Sequence, residues 1–233
     1  MIHAFGDSFV VGDQDDFIHE LGYDPGHGMH YLERVEYLKY NISFVSLIAK
    51  ELNIPLKNYA ERGSGNFPQL DKLTASLESG SIKSSDLVLF GITSPSRDRL
   101  SFVDNDRVTS ESFGPCLIDR ELANFENVGK IPRLDTLYIL FILEQLSKIF
   151  GVRILKFNLF DVDLNISYPF KDYLSGGTLL DILNDTWGKD IKTPYHDKIS
   201  IPKGYEKFYS LKKHPSETGH KKIAEWLLKN VEW

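Results

Sequence analysis

Met1-Ile2-His3-Ala4-Phe5-Gly6-Asp7-Ser8-Phe9 reads as a short apolar strand running directly into a Gly-Asp-Ser turn. A serine at a strand's carboxyl end, among small and turn-forming neighbours, is lifted from the sheet edge. Its backbone N–H can then face a developing oxyanion. Ser8 is therefore a candidate nucleophile, and Asp7, an Asx residue in a turn, is expected to bond backbone locally. Because Gly, Asp and Ser are common loop residues, the triplet acquires meaning only if the chain elsewhere supplies a base and further donors.

Working outward, apolar runs with β-branched content recur at Ile54–Leu56, Leu87–Phe90 and Val152–Phe157, with segments of helical period between them. Residues 44, 45, 48 and 52 form an apolar stripe at helical spacing that Asn53 and Pro55 close. Further helices are expected over Phe67–Leu77, from about Leu134 to Phe150 before Gly151, and from Ser216 to about Val231. Alternating strands and helices predict a parallel sheet covered on both faces. The 233 residues, 42% hydrophobic and 26% charged, suit one domain spanning 1–233 with its own core.

Two polar stretches break the alternation, at about 10–42 and 95–132. Both follow predicted strand ends, where α/β sheets bind ligands, and loops of this length in a compact domain are usually functional or disordered. They are read as insertions that wall or cover a pocket.

Composition excludes several classes. A net charge of −6 offers no basic field for phosphate contacts, so no nucleic-acid partner is expected. The longest apolar candidate, Leu137–Leu146, is interrupted by Glu144 and Gln145, so no membrane span is expected. The first residues have neither a basic stretch nor a separate apolar segment, so no signal peptide is read and a cytoplasmic location is expected. Cys116 is the single cysteine, which excludes an intrachain disulfide and reads as a small packed side chain. His19, His27 and His30 match no ligand spacing, and neither metal nor cofactor is expected.

The base is found near the carboxyl terminus, in Lys213-His214-Pro215-Ser216-Glu217-Thr218-Gly219-His220. A histidine followed by a rigid Pro and a Ser N-cap keeps one orientation, as a general base must. The ordered set Phe5-Gly6-Asp7-Ser8, Asn58-Tyr59-Ala60-Glu61-Arg62-Gly63, Asp86-Leu87-Val88-Leu89-Phe90-Gly91 and His214-Pro215-Ser216 with Gly219-His220 resembles the sequence blocks of the SGNH (GDSL-type) hydrolase family. Gly63-Ser64-Gly65-Asn66 and the Gly91-x-Thr93-x-x-x-Arg97 string resemble a variant found among bacteriophage-encoded members. The resemblance implies a flavodoxin-like three-layer α/β sandwich with strand order 2-1-3-4-5 and a site at the sheet's carboxyl edge. It further implies Ser8 as nucleophile, His214 as base, and the N–H groups of Ser8 and Gly63 as oxyanion donors.

Two positions depart from the family pattern. Where the family has an Asn as third oxyanion donor, this chain has Thr93, whose hydroxyl donates a single bond; Asn66 is the alternative donor, or else a cap for the helix that follows. Where the family has an Asp three residues before the catalytic His, this chain has Leu211. A backbone carbonyl near Leu211 is the first candidate to hold the His214 tautomer, and Asp197, Asp161 or Asp163 from elsewhere in the fold the second, whereas Glu217 points more naturally to solvent. Arg97 and Arg62 are candidate contacts to an anionic substrate group, against the alternative of pairing with nearby acids such as Asp98.

The functional expectation is a serine esterase acting on a small acyl ester, such as an O-acetyl group on a carbohydrate. An O-acyltransferase using the same acyl-enzyme is the alternative, and a non-catalytic glycan-binding or structural module is the third reading.

Overall fold

The structure is a computed structural model that describes residues 1–13, 28–93, 100–104, 107–111, 131–159, 170–189, 201–210 and 213–233. Ile2–Phe5 forms β1 and Ser8–Val11 a single helical turn, α1. Gly28–Tyr37 forms α2, which continues as a π-helical turn over Leu38–Ile42 into α3, Phe44–Glu51. Then come β2 (Leu56–Asn58), α4 (Asn66–Glu78), β3 (Leu87–Ile92), β4 (Leu100–Asp104) and β5 (Arg107–Glu111). The chain continues with α5 (Ile131–Phe150), β6 (Arg153–Asn158), β7 (Tyr173–Thr178), α6 (Leu179–Leu183) and α7 (Glu217–Asn230).

Strands β2, β1, β3, β6 and β7 lie side by side in that order, every pair parallel. Counted along the sheet strands alone this is 2-1-3-4-5, the flavodoxin-like order expected from the sequence. Because both faces are covered, the strands carry near-continuous apolar runs instead of a polar alternation. On β3, Leu89 packs toward α3, α6 and α7 with Ile48, Leu180 and Ile223. Val88, Phe90 and Ile92 pack the other way, against Leu73 of α4 and Ile139 and Leu143 of α5. Three layers result, helix on sheet on helix.

The second layer contains a buried ion pair. Lys156 on β6, 1% exposed, sets its Nζ 3.4 Å from Glu144 Oε2 on α5. Burial lowers the Lys156 pKa from its ordinary value, with the Glu144 carboxylate opposing the shift.

The second strand lies at Leu56–Asn58 and not at Ile54–Leu56. Asn53 turns the chain at φ 53°, and the first bond to β1 is taken by the Pro55 carbonyl from Ile2 N–H at 2.8 Å, so the strand starts two residues later than the apolar run implies. Two elements lacked a legible signal. β7 reads Tyr-Leu-Ser-Gly-Gly-Thr, too polar to stand out, and is a strand because β6 offers it an edge. β4 and β5 form an antiparallel hairpin inside the 95–132 stretch. The reading of that stretch and of 10–42 as pocket walls falls largely outside the described residues, as do Cys116, His19 and His27. No helix among the described residues is long and apolar enough to cross a membrane.

Candidate functional site

Ser8 opens α1, whose N-cap is Asp7. The Asp7 Oδ1 accepts from Phe9 N–H at 2.9 Å, which closes the turn that carries Ser8. Being the first helical residue, Ser8 has an N–H with no intrahelical acceptor, and among the described residues it takes no hydrogen bond. The N–H of Gly63 is likewise without an acceptor among the described residues. Gly63 has φ 68°, a left-handed backbone that glycine adopts at no steric cost.

From the other end of the chain comes His214. Its Nε2 lies 2.9 Å from Ser8 Oγ across 206 residues of sequence, with the two residues only 8% and 5% exposed. The backbone around it is a clamp. Ser210 N–H donates to the His214 carbonyl at 2.8 Å, Lys213 N–H to the Ser210 carbonyl at 2.9 Å, and Tyr209 bridges Pro215 in antiparallel fashion. The Ser216 hydroxyl donates to the Lys207 carbonyl at 2.6 Å while accepting from Gly219 N–H, so the N-cap of α7 also anchors the segment carrying His214. The imidazole packs against the Phe9 ring, centroids 5.1 Å apart. Leu211, Asp161, Asp163 and Asp197 lie outside the described residues, as does Arg97. Glu217 is 54% exposed and pairs with Lys221 at 2.7 Å, so it faces solvent as its place in the first helical turn predicts.

The structure assigns Thr93 and Asn66 to each other. Thr93 N–H donates to Asn66 Oδ1 at 2.9 Å, and Asn66 Nδ2 donates to the Thr93 carbonyl at 3.1 Å. The Thr93 hydroxyl donates to Asp7 Oδ2 at 2.7 Å. That hydroxyl has one proton, so here it is a strut to the Asp7 carboxylate and not an open donor. Asn66 is not the cap of α4 either: Gly65 holds that position, with no side-chain cap bond.

Several contributors carried no signal in the sequence. Gln69, 1% exposed, accepts from Gly6 N–H at 3.2 Å and donates to Ser64 Oγ at 2.9 Å, joining the nucleophile turn to the Gly63 turn. Asn58 Nδ2 donates to the Val10 carbonyl at 3.0 Å while its Oδ1 accepts from Ala60 N–H. Asp13 is buried and pairs with Arg62, Oδ2 to Nε 2.6 Å, which places Arg62 against a carboxylate of its own chain. Apart from the local Asn58–Ala60 bond, none of these contacts follows a short motif, since each joins separate elements.

Behind His214 lies His220, completely buried. Its Nδ1 accepts from Phe44 N–H at 3.3 Å, which puts the ring proton on Nε2. Burial first, and the neighbouring His214 second, push its pKa down to about 3, so it is neutral wherever the fold persists near neutrality. No group of three or more His, Cys, Asp or Glu side chains stands in metal-binding proximity among the described residues.

No family model matches this chain, and no curated protein does. Among solved structures it is similar to a member of the lipolytic protein G-D-S-L family from Veillonella parvula DSM 2008, with 12% identity over 99% of this chain and 97% of that one, TM-score 0.44. It is also similar to the lipase/acylhydrolase from Enterococcus faecalis, with 11% identity over 99% of this chain and 96% of that one, TM-score 0.34.

Proposed function

We propose that this chain is an SGNH-type serine hydrolase that cleaves a small acyl ester through Ser8 and His214. The observation that carries the reading is the 2.9 Å contact between Ser8 Oγ and His214 Nε2, made between two buried side chains at opposite ends of the sequence. A purely structural serine has no need of a buried histidine at that distance, and among the described residues the N–H groups of Ser8 and Gly63 have no acceptor.

In the proposed reaction, Ser8 Oγ attacks the ester carbonyl as its proton passes to His214 Nε2. The carbonyl oxygen becomes an oxyanion and takes the N–H groups of Ser8 and Gly63, each such donor being worth about 3 kcal/mol in the transition state. Collapse breaks the bond to the leaving alkoxide, which takes the proton from His214. Water then gives a proton to the same nitrogen as its oxygen attacks the acyl-enzyme, and the second collapse releases the acid and returns the proton to Ser8. Asp7, Asn66 and Thr93, all buried around the nucleophile turn, make its surroundings polar. That favours a short acyl group, such as an O-acetyl on a carbohydrate, over a long lipid chain.

The test is labelling by a fluorophosphonate and hydrolysis of p-nitrophenyl acetate, each compared with Ser8→Ala. Labelling and turnover that both vanish in the variant support the reading. A wild-type protein that is neither labelled nor active sinks it and leaves the non-catalytic module. Labelling with turnover only when a sugar acceptor is present assigns the chain to acyl transfer.

A further inference from the structure

We propose that the ion pair between buried Asp13 and half-buried Arg62 is a positioning clamp for the oxyanion donor at Gly63, an inference that rests on the hydrolase reading above. The donor N–H of Gly63 belongs to the peptide plane joining Arg62 to Gly63, so whatever holds Arg62 sets where that N–H points. A Cβ placed on Gly63 would meet nothing within 4 Å among the described residues. Glu61 N–H is anchored to the Gly6 carbonyl at 3.1 Å and Ser64 N–H to the Glu61 carbonyl at 3.2 Å, with Gln69 on Ser64 Oγ, so the turn is fixed on either side and the Arg62–Gly63 peptide between them is the part the clamp orients.

The opposite half of the clamp is tied to the nucleophile. Asp13 N–H donates to the Ser8 carbonyl at 3.0 Å, and Gly12 N–H reaches the same oxygen at 3.2 Å. The Asp13 side chain is 2% exposed and meets Arg62 Nε at 2.6 Å, while Arg62 is 29% exposed. A short circuit therefore runs from the Ser8 carbonyl through Asp13 and the Arg62 guanidinium to the peptide carrying the second oxyanion donor. Removing a partner from so buried a carboxylate is costly, which favours keeping the contact in the folded state. The planar guanidinium presents Nε in a fixed direction, so the pair sets an orientation as well as a distance. Arg62 thus serves the site from behind instead of gripping the substrate.

The experiment compares wild type, Asp13→Asn, Arg62→Lys and, as a control on the same turn, Lys72→Ala, which removes the exposed Lys72–Glu61 pair. Steady-state hydrolysis of p-nitrophenyl acetate, the second-order rate of fluorophosphonate labelling and thermal unfolding are measured for each. Misplacement of a group by about 1 Å costs up to about a hundredfold in rate, so kcat and the labelling rate of both clamp variants should fall together by about ten- to a hundredfold. KM should stay within about twofold, because the lost interaction belongs to the transition state. Lys72→Ala should match wild type. A lowered unfolding temperature with kcat per folded molecule intact overturns the clamp, and so does a raised KM with unchanged kcat, which would return Arg62 to substrate binding. Should Asp13→Asn not fold, Arg62→Lys decides by the same criteria. An active wild type with unaffected variants strikes only the clamp, whereas an inert wild type strikes the hydrolase reading and the clamp with it.

Discussion

The Thr93 hydroxyl donates to Asp7 Oδ2 at 2.7 Å, and that bond changes what the residue at the end of β3 does. The side chain at the position where the resembled family carries an Asn is here turned inward, onto the carboxylate that caps the Ser8 turn. Thr93→Val removes the donor and leaves a buried carboxylate one bond short, at a cost of about 1–3 kcal/mol. The expected result is a matching loss in denaturant unfolding with a fall in turnover, while Thr93→Ser retains both. Equal stability for Thr93→Val and wild type would mean that the bond is not a strut.

His220 makes stability depend on acid pH. Its folded pKa of about 3 lies below its unfolded value near 6.5, so between those limits the unfolded chain binds the extra proton. Stability from this group is complete above pH 6.5 and declines as pH falls toward 3, by about 1.4 kcal/mol per pH unit. His220→Asn offers an acceptor to Phe44 N–H without a titrating ring. Its unfolding free energy, measured from pH 7 to 4, should fall less steeply than that of wild type.

Gly219 admits no side chain. A Cβ there would stand 2.3 Å from the Phe208 carbonyl oxygen, in the backbone clamp that carries His214. Gly219→Ala must push that strand of chain aside, and overpacking of this kind costs about 1–3 kcal/mol. Turnover should drop more than stability, since the displaced segment holds the base. A variant with full activity would show that the segment yields without moving His214.

Lys156 and Glu144 form a pair that is costly to break and cheap to replace. Glu144→Gln leaves a buried ammonium without its counter-charge, and loss of one partner typically costs about 3–5 kcal/mol. The double variant Lys156→Met with Glu144→Leu should recover most of that loss, because neither charge then remains to be desolvated. Chemical denaturation of the singles and the double closes the cycle. A double variant weaker than both singles would assign the pair a net stabilising role.

Much of the fold was legible because its signals are local. The apolar runs on β1, β3 and β6 and the stripes on α3, α4, α5 and α7 repeat at the period of the element they form, so short windows of sequence contain them. β7 escaped because its residues are too polar to stand out, and the β4–β5 hairpin because it sits in a stretch without marked periodicity. The start of β2 slipped by two residues because an apolar run marks burial, whereas a strand begins where the partner's hydrogen bonds begin.

For the site, the chain alone determined the chemistry on offer: a Gly-Asp-Ser turn behind a strand, a histidine followed by Pro215 and a helix cap, and a glycine turn at residue 63. Those follow from residue type and near neighbours. Only the tertiary structure decided how they are wired. That Ser8 and His214 lie 2.9 Å apart, that Thr93 turns to Asp7, that Asn66 serves the Thr93 backbone, and that Asp13 takes Arg62 are all outcomes of long-range packing. The physical reason is that a buried polar group must be satisfied by whichever partner the fold brings within reach, and that partner is set by the superposition of layers and not by spacing along the chain.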